Sequence, residues 1–504
     1  MFSLLLDLPT ELLNHALWYL DLVDLHSCQL VHSTIYSAIK GSILLKYLTS
    51  LKASGMEDNP LHVSTSTAER LNMLLRSENG WSHLQFDFRH TIKAEPNIAW
   101  PIGLDGGVLF LLNNHQTHIH HITLPKVVSD NPQWAYLPRD KRTLDFCFAV
   151  SDHDLIAIAT ISKSTEIEIH LLQVSTGLPH PLAEKSKIVI ADTSWQSCTV
   201  SVAVSGETLV VLVNDFRNAS PDRVFIYEWK SGSLKMTIAV PHHSYDNILF
   251  LSADKILLPN RIRKTLDIWT MTGNTPNIVL EFLPFKEDTV LMGLTCLSVP
   301  NPVTHGTPHS NRPFHESPSD AIIYFIVHIQ SFDVVPLEDP IFLLVFVHRR
   351  SLLELCYNAT TPPENGIPWR EWGPSITRLI TSDVVTPQWH STMSGERFVA
   401  LNGNSEIIAL DFNPARAKVL EAAVDGGIGA DDNDDYYTKT ERAVSSFSHS
   451  SLEYPVLSEL PYTYYKRKNM GPFDSLLVDG ERFLGLRTYN HGHTIQEIEV
   501  MHLG

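Results

Sequence analysis

Cysteine is scarce. Cys28, Cys147, Cys198, Cys296 and Cys356 are scattered over 504 residues, odd in number and without a CxxC pair. That excludes a disulfide framework and a thiolate zinc site and points to a reducing compartment, cytosol or nucleus. Long apolar runs are also missing. Beyond the N-terminus the longest is IFLLVFV, Ile341 to Val347, against the roughly 20 residues that a spanning helix needs. MFSLLLDLP has no basic segment, and Asp7 and Pro9 cut it short, so it does not read as a secretion signal. The sequons at Asn218 and Asn358 then read as chance matches. No basic block occurs: Lys plus Arg total 38 against 56 Asp plus Glu, a formal charge of -18. Nucleic acid and anionic membranes are therefore not expected partners.

Catalytic and cofactor motifs are absent too. There is no GxSxG, HExxH, P-loop or GxGxxG in a suitable context. GLDGGV at Gly103 precedes a strand pattern and opens no helix, so it cradles no phosphate. An EF-hand register starting at Asp431 puts Tyr436 where Gly is required and Arg442 where Glu is required, so no calcium loop is expected. His118 and His120 of HIHH share a strand face, but no third ligand accompanies them. They read as surface histidines. No cofactor, metal or catalytic residue is expected.

What is present falls into two textures. A chain 43% hydrophobic and 19% charged is globular, and its length implies more than one domain. Residues 1–48 read as helical. Leu12, Leu13, Ala16, Leu17 and Leu20 mark one helix face, with Pro9 at the first helical position. Asp24 is a candidate N-cap for a second helix carrying Leu25, Cys28, Leu30 and Val31. A third is expected from Thr34 to Leu48. Residues 49–95 read as a linker: a polar connector, Ser54 to Thr67, then a bridging helix with Leu71, Leu74, Leu75 and Trp81. So few helical residues make a poor core alone, which suggests a docking module completed by a partner.

From residue 96 to 504 the texture is all-β. Short β-rich runs such as TLVVLVN and DRVFIYEW alternate with turns. VSGETLVVLVN, MSGERFVALNG and VDGERFLGLRT echo one another, and strands closing at Gly177, Gly232 and Gly273 are 55 and 41 residues apart. Such spacing fits β-propeller blades, about seven or eight in the length left; a pair of large sandwiches would show a similar texture. Loop insertions are expected at 301–320 and 424–451. Trp369 and Trp372 are expected to pack at strand ends. Arg261, Arg263 and Lys264 form the densest basic group, with Arg349 and Arg350 second; such groups can hold an acidic or phosphorylated peptide.

Residues 8–36, LPTELLNHALWYLDLVDLHSCQLVHSTIY, resemble the F-box pattern. Ala16 stands where Ile is usual, His32 where Cys is usual and Ile35 where Trp is usual. IPWREWGPSITR, ALDFNPARAK and LPYTYYKRK with LLVDGERFLGL are similar to the large F-box families of mushroom-forming fungi. This resemblance implies a multidomain α+β chain, an F-box followed by a WD-repeat-like propeller. It implies a non-catalytic substrate receptor of an SCF-type cullin-RING ubiquitin ligase, acting in protein degradation. The F-box would dock on a Skp-type adaptor, and through it a cullin, by Leu8, Pro9, Glu11, Leu12, Leu13, Leu17, Leu20, Leu25, Cys28 and Val31. The β domain would hold an unknown protein target, with Arg261, Arg263 and Lys264 as candidate contacts. A non-ligase scaffold with a degenerate F-box, and a propeller hydrolase, are the other readings.

Overall fold

A computed structural model describes residues 7–20, 22–95, 98–113, 115, 118–138, 141–162, 166–190, 198–215, 221–303, 312–330, 341–358, 366–381, 391–418, 435–468, 470–489 and 494–503. The described residues open with four short helices: α1 (Thr10–Trp18), α2 (Leu22–Val31), α3 (Ser33–Gly41) and α4 (Ile43–Ala53). Pro9 is the N-cap of α1, one residue earlier than expected, and its carbonyl accepts from Leu13 N–H at 3.0 Å. The helix expected over Thr34–Leu48 is two helices. Ser42 ends α3, and its hydroxyl caps α4 by accepting from Leu45 N–H at 3.2 Å. Asp24 lies inside the first turn of α2, where a carboxylate suits the helix dipole, and so is not its cap.

The connector is not a loop throughout. Met56–Asp58 forms an antiparallel ladder with Phe314–Glu316, inside the insertion expected at 301–320. A capping box of Ser66 and Glu69 then starts α5 (Thr67–His83), whose buried positions include Leu74, Gly80 and Trp81; Leu75 faces solvent.

The β domain is a ring of seven antiparallel blades. Blade 1 starts at Ile98, blade 2 at Thr143, blade 3 at Cys198, blade 4 at Leu249, blade 5 at Val290, blade 6 at Met393 and blade 7 at Ser475. Strands within a blade are lettered A to D in pairing order. Strand D of blade 7 is Phe88–Lys93, which pairs with Thr494–His502 and closes the ring with the N-terminal end of the domain. The A strands lie innermost and touch: Val202 N–H in blade 3 donates to Asp145 Oδ2 in blade 2 at 2.7 Å.

Seven apolar clusters fill the seven junctions between neighbouring blades. In TLVVLVN, Leu209, Val211 and Val213 face blade 2 while Val210 and Leu212 face blade 4. Both strand faces are buried, so the run is continuously apolar instead of alternating. The number of blades is thus seven, and the sandwich alternative falls. VSGET, MSGER and VDGER are the A–B turns of blades 3, 6 and 7; Gly177, Gly232 and Gly273 lie after the C strands of blades 2, 3 and 4. A–B and C–D connections share one face of a propeller and the D–A and B–C connections share the other.

Two expectations need correcting. The insertion 424–451 contains a strand, Tyr436–Glu441, which pairs outside Tyr462–Arg467 as a fifth strand of blade 6, and Ser445–Phe447, which pairs with Val456–Ser458. The Asp431–Asp434 part of the acidic run lies outside the described residues. Trp369 and Trp372 are buried, but on a helix (Trp369–Ile376) between strands C and D of blade 5, not at a strand end. Trp372 Nε1–H donates to Glu281 O at 3.0 Å, which ties that helix to blade 4.

Helix α5 packs so closely that a Cβ on Gly80 would lie 2.4 Å from the Leu503 carbonyl oxygen. Gly80→Ala should therefore cost about 1–3 kcal/mol. Gly41, with nothing within 4 Å, is the control: Gly41→Ala should be neutral or slightly stabilising. Urea denaturation of the two variants checks this.

Candidate docking surfaces

The four N-terminal helices enclose a small core of Leu13, Leu17, Leu25, Ile35, Ala38, Ile39, Leu45 and Leu48. Three of the ten expected adaptor contacts, Leu13, Leu17 and Leu25, are in it at 1–3% exposure. They hold the module together and offer a partner little surface. Leu20 and Cys28 are half-buried at its edge, and Lys52 of α4 donates to Leu20 O at 2.8 Å. Pro9 and Glu11 are exposed. Leu8, Leu12 and Val31 are exposed apolar residues, at 36%, 55% and 59%. Sequence reasoning missed further ones, Tyr19, Leu30, Tyr36, Ile43 and Leu44, of which Leu30 is 78% exposed. Spacing alone placed Leu30 and Val31 on a packing face, but no described element covers them. So much uncovered apolar surface on one small module marks an interaction site.

The three departures from the usual pattern sort themselves. Ile35 is buried core, and His32 caps α3, its Nδ1 accepting from Thr34 N–H at 3.1 Å. Ala16 sits on the exposed side of α1 and His32 is exposed at the start of α3, so at both a departure alters accessible surface.

This module is fixed to the propeller on the A–B/C–D face. Tyr47 of α4 donates to Asp58 Oδ1 at 2.7 Å and to Pro313 O at 3.2 Å. Phe314 is buried with Tyr47, Leu51, Met56 and Leu74. The segment around it touches the A–B turns of three blades. Val303 packs on Gly206 of blade 3, Arg312 pairs with Glu481 of blade 7 at 2.9 Å, and Glu316 accepts from Ser394 of blade 6 at 3.0 Å.

Helix α5 meets blade 6 through a buried ionic cluster. Glu78 Oε2 lies 2.6 Å from both Arg397 Nη2 and Arg416 Nη1, and Arg397 Nε lies 3.1 Å from Asp411 Oδ2. Burial works against ionised Glu78 and Asp411, and the two guanidiniums overcome it, holding both below the usual carboxylate range. Glu396, whose Oε2 accepts from Asn413 at 2.5 Å, is pushed up to about 8 by burial. Neutral Glu396 leaves two cations facing two anions. Because its folded pKa exceeds its unfolded value, its contribution is complete below about pH 4 and falls as pH rises through about 8. Unfolding free energy should therefore decline from pH 5 to pH 9, and decline less in Glu396→Gln; urea titrations at the two pH values check this.

The basic turn Arg261–Lys264 joins strands B and C of blade 4, on the opposite face. Two of its cations are engaged within the fold. Arg261 pairs with Asp246 at 3.2 Å, and Lys264 Nζ donates to the Lys286 and Glu287 carbonyls at 2.6 and 3.0 Å. Arg263 is exposed and lies in no ion pair among the described residues. Of the second basic pair, Arg349 is buried and donates to the Pro318 and Pro300 carbonyls, and Arg350 pairs with Asp320 at 2.7 Å. His118 and His120 flank Tyr136 on blade 1. No group of three metal-ligating side chains occurs among the described residues, and no described helix is long and apolar enough to cross a membrane.

The fold defines a two-part protein, a small helical module fixed to a seven-bladed propeller. Residues 5–47 match the F-box domain family, and this module is an F-box domain. No curated protein matches the chain. Among solved structures it is similar to the C-terminal WD40 domain of Sif2, at 9% identity over 82% of this chain and 98% of that one, TM-score 0.36. It is also similar to BamB from Moraxella catarrhalis, at 10% identity over 82% and 98%, TM-score 0.35. The WD40 propeller of Doa1 is similar at 11% identity over 64% and 94%, TM-score 0.31. At such scores the propeller rests on its strand pairing and not on these likenesses. F-boxes and propellers are typically interaction domains, and the pairing fits a receptor role.

Proposed function

We propose that this protein is the substrate-recognition subunit of an SCF-type cullin-RING ubiquitin ligase, working in the cytosol or nucleus. In this reading residues 1–48 dock on a Skp-type adaptor, 49–95 brace that module and 96–504 hold a target protein. The receptor performs no chemistry of its own; it raises the concentration of its target near a ubiquitin-charged conjugating enzyme. The observation that carries the reading is the uncovered apolar surface of the F-box, led by Leu12, Leu30 and Val31.

Proximity labelling with the full chain, with and without proteasome inhibition, tests it. The reading expects the adaptor and a cullin among the labelled proteins in both conditions, plus others that accumulate only under inhibition. Labelling without adaptor or cullin contradicts it. A non-ligase scaffold draws support from Ala16 and His32, the two exposed departures; adaptor affinity weaker than micromolar would favour it.

A further inference from the structure

The outer strand of a blade leaves one row of N–H and C=O groups unpaired, which invites another chain unless the edge is short, charged or covered. Six of the seven blades protect that edge. Strand D of blade 1 (Trp134–Pro138) ends in proline, and that of blade 2 (Lys187–Ile190) has four residues and opens with a lysine. In blade 4, Ile367 covers Ile278–Glu281: its N–H donates to Val279 O at 2.8 Å and its carbonyl accepts from Glu281 N–H at 2.9 Å. In blade 5, Leu460 N–H donates to Thr377 O at 2.9 Å, and Leu379 N–H donates to Ser458 Oγ at 3.1 Å. Blade 6 adds a fifth strand bearing Lys439 and Glu441, and strand D of blade 7 bears Arg89, His90 and Lys93.

Blade 3 does none of this. Its strand D, Ser233–Val240, is eight residues long, the longest of the described outer strands, and has no proline. Among the described residues, Leu234–Val240 make no backbone hydrogen bond outside their own blade. Met236, Ile238 and Val240 pack toward blade 4, while Thr237 and Ala239 on the other side are exposed. Lys235 is the strand's one charge, and Glu228 pairs with it at 2.7 Å; Lys230 at the preceding turn pairs with Glu207 at 2.7 Å. The charges along this edge are thus matched, on a chain of charge -18. Glu184 N–H donates to Lys230 O at 2.7 Å, and the Lys185 stem packs on Gly232. These contacts bring Leu182 of blade 2, 55% exposed, to the same end of the edge as Leu234, 51% exposed.

We propose that this edge pairs antiparallel with the same edge of a second copy, about a two-fold axis centred on Thr237. In that register Thr237 meets its own copy and Met236 meets Ile238, so opposite residues share a sheet face. Lys235 meets Ala239, and like charges are never opposed. A two-fold contact requires such self-complementarity. The matched charges also remove the local repulsion that two acidic chains would otherwise feel there. The dimer would join two F-box modules and two propellers in one assembly, whatever each module binds.

Sedimentation of the full chain over a concentration series tests this. Monomer should pass to dimer with a dissociation constant of about 1–50 μM, the weak end of specific interfaces. Thr237→Lys and Thr237→Glu each set like charges face to face and should weaken the dimer at least about tenfold. An equimolar mixture of the two variants should restore it. Ala239→Glu, facing Lys235 of the second copy, should tighten it about threefold. Both positions are exposed, so melting temperatures should hold. A chain that stays monomeric, association that ignores these variants (as through the F-box surface), or no rescue in the mixture overturns the proposal.

Discussion

Leu12→Asp should abolish adaptor capture while leaving the protein as stable as before. Leu12 is 55% exposed and Leu13 is 2% exposed, so neighbouring leucines separate docking from folding. Burying Leu12 against a partner is worth about 1.5–3 kcal/mol. An Asp there must also be desolvated, so the loss should reach roughly a hundredfold in Kd, about 2.8 kcal/mol. Leu13→Asp instead puts a carboxylate into a core of eight buried side chains. Even Leu→Ala at such a site costs about 2–5 kcal/mol, enough to unfold so small a module. Calorimetric titration with the adaptor, beside thermal melting, reads both effects: binding lost with Tm kept for Leu12→Asp, both lost for Leu13→Asp.

Glu78→Ala should loosen the F-box module from the propeller, whereas Glu396→Gln should not. Glu78 holds Arg397 and Arg416 at once. Without it, two buried guanidiniums share Asp411, and the cost should be about 3–5 kcal/mol. Glu396 already carries its proton at neutral pH, and a Gln amide oxygen can accept the same bond from Asn413. Hydrogen exchange should show faster opening of α5 in Glu78→Ala, and no such change in Glu396→Gln.

These two contrasts show what a sequence can disclose. The F-box could be read because its pattern is local: Pro9 starts a helix, and leucines recur at helical spacing. The propeller showed itself through its turns, since blades 3, 6 and 7 repeat a polar A–B turn of the VSGET kind. Which apolar residues face out did not show. Leu13 and Leu12 look alike in sequence, and only the packing of α1 against α3 and α4 separates them. The ionic cluster was invisible because Glu78, Arg397, Asp411 and Arg416 are brought together from far along the chain. The strand Met56–Asp58 was hidden because three residues become a strand only when Phe314–Glu316 pairs with them. Charge density in the basic turn does not tell which cations the fold engages: Lys264 Nζ holds two backbone carbonyls, whereas Arg263 lies in no ion pair among the described residues.

The most direct test is titration of the intact chain with its Skp-type adaptor. The receptor account predicts a one-to-one complex with a dissociation constant below about 1 μM, weakened roughly a hundredfold by Leu12→Asp. No binding by the intact, folded chain, or binding that survives Leu12→Asp unchanged, would contradict it.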